Sequence, residues 1–373
     1  GGKMSERRIV NSFIELVKIN STSRNEAAIR EYLLGQLRRL GYRPAADKKG
    51  NIHLTVNGAH ANGPTILFNA HLDTVAPGNN VQPKILKDRI VSGGDTVLGA
   101  DDKAGLTGIL EMLRLLREKK VLFHKIKIIL TVEEEIGLRG AKALRFEDVK
   151  ADYCFVLDSD GDVGTVVNQA PAQENLHFLV KGKAAHAGLH PEDGVNAIKI
   201  AGLAIAKIKS GRIDGETTAN IGIIRGGSAG NIVPDETLVK AEARSRKEQK
   251  LQKQVRSMID AFQNAAQKLG GSVEIERARE YEAVNQPVDS AIVKITRVAA
   301  QKMNLPHKVL ASGGGSDASL IFGYGVPTVG LGIGMENVHS TREYITLRNL
   351  TLLPKYLLAL IQSANTYERA ARR

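Results

Sequence analysis

Cysteine is almost missing from this 373-residue chain: the single one, Cys154, sits inside the apolar run Tyr153-Cys154-Phe155-Val156-Leu157. No intramolecular disulfide can form and every thiolate-based zinc pattern is excluded, so a metal here must be held by histidine and carboxylate. Tryptophan is absent and aromatics make up 4% of residues, which leaves poor platforms for stacking bases. The net charge is +12, from 52 Lys and Arg against 40 Asp and Glu. Its densest basic stretch, Arg244 to Lys250, is broken by Glu248 and continues into Leu251, Val255, Met258, Ile259 and Phe262 at helical spacing, as a solvated helix face does. No nucleic-acid partner is expected. No apolar run approaches the ~18 residues of a membrane span. Near the N-terminus Ile9, Val10, Phe13, Ile14 and Val17 recur at helical spacing with charges between them, which reads as an amphipathic helix and not as a signal peptide. No membrane association and a cytoplasmic location are therefore expected.

Glycine, in contrast, is in surplus at 37 residues, clustered at Gly93-Gly94, Gly99, Gly226-Gly227 and Gly313-Gly314-Gly315. Three short β-rich apolar runs stop abruptly at acids or a histidine. They are Thr65 to Ala70 before His71-Leu72-Asp73, Ile126 to Val132 before Glu133-Glu134-Glu135, and Tyr153 to Leu157 before Asp158. Near-continuous apolar runs mark strands covered on both faces. Helical patterns alternate with them at Glu26 to Leu40, Ala104 to Arg117, Ser290 to Met303 and Leu350 to Ala370. The expected fold is α/β, a mainly parallel sheet with helices on both faces. From about Pro171 to Ala283 the order changes to strand, helix, strand, strand, helix, strand, which predicts an inserted ferredoxin-like α+β domain. Val239, Ala241 and Ala243 alternate there with Lys240, Glu242 and Arg244, so its sheet should have one wet face. The predicted division is residues 4–170 with 284–373 around an insert at 171–283.

In parallel sheets, ligands collect beyond the carboxyl ends of the strands. His71, Glu135 and Asp158 all follow predicted strands, with Asp101 and His339 in loops beside them, so they should face one another. Facing carboxylates repel unless a cation or protons neutralise them. Two divalent ions supply +4, which balances Asp101, Glu135, Asp158 and one hydroxide. Imidazole with carboxylate suits zinc, with cobalt or manganese as substitutes. Asp73, two residues after His71 on an extended segment, is placed to accept the second N–H of that histidine.

These segments resemble the two-zinc metallopeptidases that include peptidase T, glutamate carboxypeptidases, aminoacylase and succinyl-diaminopimelate desuccinylase. The motifs are Asn69 to Val75, Gly99 to Gly105, Glu133 to Gly137, Leu157-Asp158 and Asn337-Val338-His339, in that order. The resemblance implies that Asp101 bridges two zinc ions, that His71 and Asp158 hold one, that Glu135 and His339 hold the other, and that Glu134 is the general base acting on a metal-bridged hydroxide. It further implies a lid and dimerisation role for the insert. His186, in Gly182 to Gly188, would stabilise the transition state, in its own site or in that of a second subunit of a homodimer. Asn231 and Arg244, which as bare residue types are a turn residue and a solvated arginine, would bind the peptide. Ala104 and the loop Gly313 to Ala318, with Gly314 and Gly315 lining the substrate, are most similar to peptidase T, which has an arginine where Gly313 stands here. The implied activity is that of an aminotripeptidase on small peptides. A metallo-carboxypeptidase or N-acyl-amino-acid amidohydrolase is the alternative within the family.

Two readings from other classes compete. Gly226-Gly227-Ser228-Ala229-Gly230 matches the G-x-S-x-G elbow of serine hydrolases, but that elbow needs a helix after it, and Asn231 to Asp235 reads as loop. A peptide-binding protein without catalysis is the other, and it has no use for Glu134.

Overall fold

A computed structural model describes residues 2–371, with side chains from Ser5 to Glu368. The chain divides into two compact units. One comprises residues 1–169, 286–311 and 316–373, the other residues 170–285 and 312–315.

The first unit is built on a sheet whose centre is parallel. The strand Thr65–His71 pairs with Lys125–Thr131 on one side and Tyr153–Ser159 on the other, and Thr328–Gly332 extends it next to Tyr153–Ser159. Successive side chains of a strand face opposite ways. Accordingly Ile66, Phe68 and Ala70 enter one apolar layer with Phe13, Ile109 and Leu353, while Leu67 enters another with Ile129, Cys154, Ala318 and Ile321. These layers hold residues of the helices Gly2–Val17, Ala27–Arg39, Ala100–Glu118, Ala291–Lys302 and Leu347–Ala371 on one face, and of the short helices Arg139–Lys142 and Asp317–Gly323 on the other. Both faces of the sheet are dry, as the unbroken apolar runs require. Antiparallel strands flank this parallel centre, with Ile52–Asn57 against Lys125–Thr131 and Thr165–Ala170 against Thr328–Gly332.

Sequence reasoning found no trace of a second, four-stranded sheet in this unit. Its strands are Pro83–Ile85, Arg89–Ser92, Met335–Glu336 and Tyr344–Thr346, too short to show alternation. The last two form a hairpin whose loop, residues 337–343, carries His339.

In the second unit the long strands Ala172–Lys181, Thr217–Gly226, Glu236–Ser245 and Ser272–Tyr281 form an antiparallel sheet, with the first strand between the third and fourth and the second on the outer side of the third. With the helices Ala197–Lys207 and Glu248–Leu269 this is the ferredoxin-like arrangement. Val239, Ala241 and Ala243 face the helices in one core with Leu176, Phe178, Met258 and Phe262, and the intervening Lys240, Glu242 and Arg244 stay partly exposed. The Phe178 and Phe262 rings stack 3.9 Å apart. After Gly226 the chain turns and forms the short strand Ile232–Val233, so no helix follows Ser228 and the serine-elbow reading fails. Among the described residues, no helix is long and apolar enough to cross a membrane.

Candidate metal centre

Parallel pairing determines which residues meet. His71 is opposite Thr131 in the ladder, so the chain leaving Thr131 delivers Glu134 and Glu135 beside it, while Asp158 comes from the adjoining strand. Asp101 stands at the start of the helix Ala100–Glu118, where it and Asp102 have non-helical dihedrals and a cis peptide joins them.

The donors converge. His71 Nε2 lies 3.0 Å from Asp101 Oδ1 and 3.8 Å from Asp158 Oδ1, and His339 Nε2 lies 3.1 Å from Asp101 Oδ2 and 2.9 Å from Glu135 Oε1. The two oxygens of Asp101 thus face two different histidines. Ligand atoms of His71, Glu134 and Asp158 lie within 4.8 Å of one another, as do those of His71, Asp101 and Glu135. The other nitrogen of His71, Nδ1, is 2.9 Å from the backbone carbonyl of Asp73 and 3.3 Å from its carboxylate. That contact directs Nε2 into the cluster.

The electrostatics are those of crowded negative charge. Burial, reinforced by Asp101 and Glu134, pushes the Asp158 carboxyl well above its ordinary range, and burial with Asp317, Glu135 and Asp101 does the same to Glu134. Burial also works against ionisation of Asp101, but hydrogen bonds from His339 and His71 hold it below the usual range. His339 is pushed up to about 10 by its bonds to Asp101 and Glu135. Burial favours a neutral His71, yet bonds to Asp101 and Asp73 and the charges of Asp158 and Glu134 raise it. Burial and neighbouring negative charge thus disfavour ionised carboxylates at Asp158 and Glu134, and a pair of divalent cations would offset that charge. Hard oxygen donors and inward-facing imidazole nitrogens therefore fit a dinuclear site.

A model of the peptidase family M20/M25/M40 matches residues 67–363, a span that includes every residue of this cluster. The chain belongs to that family. Among its relatives, the uncharacterized protein YqjE of Bacillus subtilis (strain 168) is 41% identical over 369 residues, covering 97% of this chain and 99% of YqjE. The crystal structure of the aminopeptidase PepT from Bacillus cereus ATCC 10987 is 42% identical with a TM-score of 0.89, covering 96% of this chain and 98% of its own. A tripeptidase from Staphylococcus aureus subsp. aureus Mu50 is 39% identical with a TM-score of 0.91, covering 97% and 99%. Membership of this peptidase family turns a cluster of acids and histidines into a candidate hydrolytic centre.

Asp73, which the sequence pointed to, and buried acceptors that it did not single out hold the centre in shape. The Asp73 carboxylate accepts hydrogen bonds from the backbone N–H groups of Glu134 (2.9 Å) and Glu135 (3.1 Å) and from the Ser23 hydroxyl (2.7 Å). Asp73 therefore grips the Glu134-Glu135 turn as well as orienting His71. Glu26, also buried, accepts from the N–H of Glu133. Asp317 accepts from Thr131 and from Asn69 Nδ2, joining the strands that end in His71 and Thr131 to the helix Asp317–Gly323. No spacing rule identifies such acceptors, because a turn N–H can be satisfied from anywhere in the chain.

The remaining sequence-predicted residues lie in the second unit. His186 pairs with Ile232 in a short antiparallel bridge, and its Nδ1 accepts from the N–H groups of Gly188 and Leu189 at 3.2 Å each. An accepting Nδ1 puts the proton of the neutral ring on Nε2. The backbone carbonyl of Asn231 accepts from Ala187 N–H, while its side chain is exposed. Arg244 is clasped by Glu242 through Nε (2.9 Å) and Nη2 (3.0 Å). Gly314 lies beside Nη1 of that arginine, and Gly315 packs on Tyr281, where a Cβ would come 2.2 Å from the ring carbon Cζ.

Proposed function

We propose that this protein is a metal-dependent aminotripeptidase that removes the N-terminal residue of small peptides, with two zinc ions as the resident cofactor and cobalt or manganese as substitutes. The observation that supports the reading is the placement of Asp101, with one oxygen 3.0 Å from His71 Nε2 and the other 3.1 Å from His339 Nε2, so that it would help to hold both ions. His71 and Asp158 would hold one ion, and Glu135 and His339 the other. When bound, the ions neutralise the clustered carboxylates and polarise a peptide carbonyl and water.

The chain's own groups do the rest. Glu134 is tethered through its N–H to Asp73 and takes a proton from water, then delivers it to the leaving amine nitrogen. Nε2–H of His186 is a donor suited to the developing oxyanion. Arg244 Nη1, Asn231 and the Gly314-Gly315 backbone are candidates for holding the peptide, with Nη1 taking the terminal carboxylate. The tripeptide preference draws support from the PepT and tripeptidase neighbours. A homodimer formed through the second unit is part of the reading, supported by the exposed Ile223 and Ile224 on its strand Thr217–Gly226.

The test is a panel of free tripeptides, dipeptides, N-acyl amino acids and C-terminal glutamyl peptides, assayed on zinc-reconstituted protein. Free tripeptides should be preferred, and preference for N-blocked substrates would transfer the assignment to the carboxypeptidase or acylase class. Glu134→Ala should keep both metals and lose about 10²- to 10⁴-fold in turnover, whereas His339→Ala should lose metal. A Glu134→Ala enzyme near the wild-type rate would refute the base assignment.

A further inference from the structure

We infer that Glu343 is a positioning residue for the metal centre: its carboxylate locks the loop bearing His339 to the turn bearing Asp101, and so sets the distance between those two ligands. Glu343 closes the hairpin loop 337–343 and is buried, at 1% exposure. Both of its oxygens are engaged on one segment. Oε2 accepts from the N–H of Gly99 at 2.7 Å and Oε1 from the N–H of Asp101 at 2.9 Å.

Asp101 needs such a partner. The first N–H groups of a helix have no acceptor within it, and here the first turn is also irregular, since Asp101 and Asp102 depart from helical dihedrals. The backbone of Asp101 is therefore fixed from outside the helix, and Glu343 is the acceptor that fixes it. A carboxylate is also the side chain best suited to the positive end of a helix.

The other half of the linkage is the loop itself. Ser340 Oγ donates to the Asn337 carbonyl (2.7 Å), Arg342 N–H donates to Ser340 Oγ (3.2 Å), and Glu343 N–H donates to the Ser340 carbonyl (3.1 Å). His339 lies inside this small network, so where Glu343 is anchored, His339 is placed. The two anchored segments bring His339 Nε2 to 3.1 Å from Asp101 Oδ2.

The inference rests on reading the cluster as a metal centre. The experiment titrates zinc into metal-free wild type, Glu343→Gln and Glu343→Asp against a chromogenic chelator, and follows thermal unfolding of the metal-free proteins in parallel. Glutamine presents only one oxygen and turns its NH₂ toward the other N–H. Aspartate keeps the charge but is one methylene too short to reach both donors. Zinc affinity should fall about 10- to 100-fold in Glu343→Gln, the range typical for residues that orient metal ligands, and by less in Glu343→Asp. The kcat at limiting zinc should fall with it at unchanged KM, and raising free zinc should restore it. A Glu343→Gln protein that binds zinc as tightly as wild type overturns the inference, even if its metal-free form melts earlier, because that pattern belongs to a helix cap alone. Should the glutamine variant not fold, wild-type zinc affinity in Glu343→Asp overturns it equally. If wild type itself takes up no zinc, the metal-centre reading fails and this inference with it.

Discussion

Changing Asp73 to asparagine removes one negative charge and one acceptor while preserving shape, which makes it a sharp probe of how the centre is held. Asp73 is fully buried, and its carboxylate serves Glu134 N–H and His71 Nδ1 through Oδ1, and Glu135 N–H and the Ser23 hydroxyl through Oδ2. An asparagine amide must turn its NH₂ toward one of these pairs, so whichever way it sits, the N–H of Glu134 or of Glu135 meets a donor and loses its acceptor. A hydrogen bond to a charged group contributes about 1.5–3 kcal/mol, which corresponds to roughly 10- to 100-fold in an equilibrium or a rate. Because the lost contact positions the proposed base and a proposed ligand, the deficit should appear in kcat at saturating metal and in zinc retained after dialysis against a chelator. Ser23→Ala is the control, since it leaves the carboxylate, its charge and its other three partners in place, so kcat and zinc retention should be less affected than in Asp73→Asn. The reasoning is refuted if Asp73→Asn stays within twofold of wild type in both measurements, or if Ser23→Ala is equally impaired.

Two further expectations concern the second unit. Burial opposes ionisation of Glu174, but hydrogen bonds from Arg277 (2.6 Å), Gln252 (2.8 Å) and Arg279 (2.9 Å) bring its carboxyl down to about 2. A carboxyl lowered on folding stabilises the protein above its unfolded value of roughly 4.3 and loses that contribution as pH falls toward about 2. Unfolding followed between those limits should therefore steepen in wild type relative to Glu174→Gln, and parallel profiles would contradict the ion-pair account. Gly315→Ala forces a Cβ to 2.2 Å from Tyr281 Cζ, whereas a Cβ at Gly313 meets nothing within 4 Å. The former should destabilise the unit by about 1–3 kcal/mol, as overpacking does, and the latter should be close to neutral in denaturant unfolding.

How much of this was legible in the sequence follows from which interactions leave a pattern. Runs such as Thr65 to Ala70 and Tyr153 to Leu157 are apolar throughout because both faces are covered, so continuous hydrophobicity marks the strand and its abrupt end marks the candidate ligand. The sheet of the second unit was equally readable, since Val239, Ala241 and Ala243 alternate with polar residues over one dry face. The hairpin carrying His339 left no signal, because strands as short as Met335–Glu336 and Tyr344–Thr346 cannot show a period. Asp73 stands between these cases. Its position two residues after His71 pointed to a contact with that ring, but the backbone carbonyl lies nearer to Nδ1 than the carboxylate does, and the carboxylate is occupied mainly by Glu134, Glu135 and Ser23. Sequence adjacency reports on one partner at a time, and this residue has four. Glu26 and Glu343 mark the limit of such reading. Each is a lone carboxylate distant in sequence from the N–H groups it accepts, and only the folded chain shows that an acid at position 343 has its counterpart at 99 and 101. His71 and Asp158 project from strand ends and so follow the periodicity of the sheet, whereas the groups that hold the candidate ligands answer unpaired N–H groups at turns, whose acceptors follow no period at all.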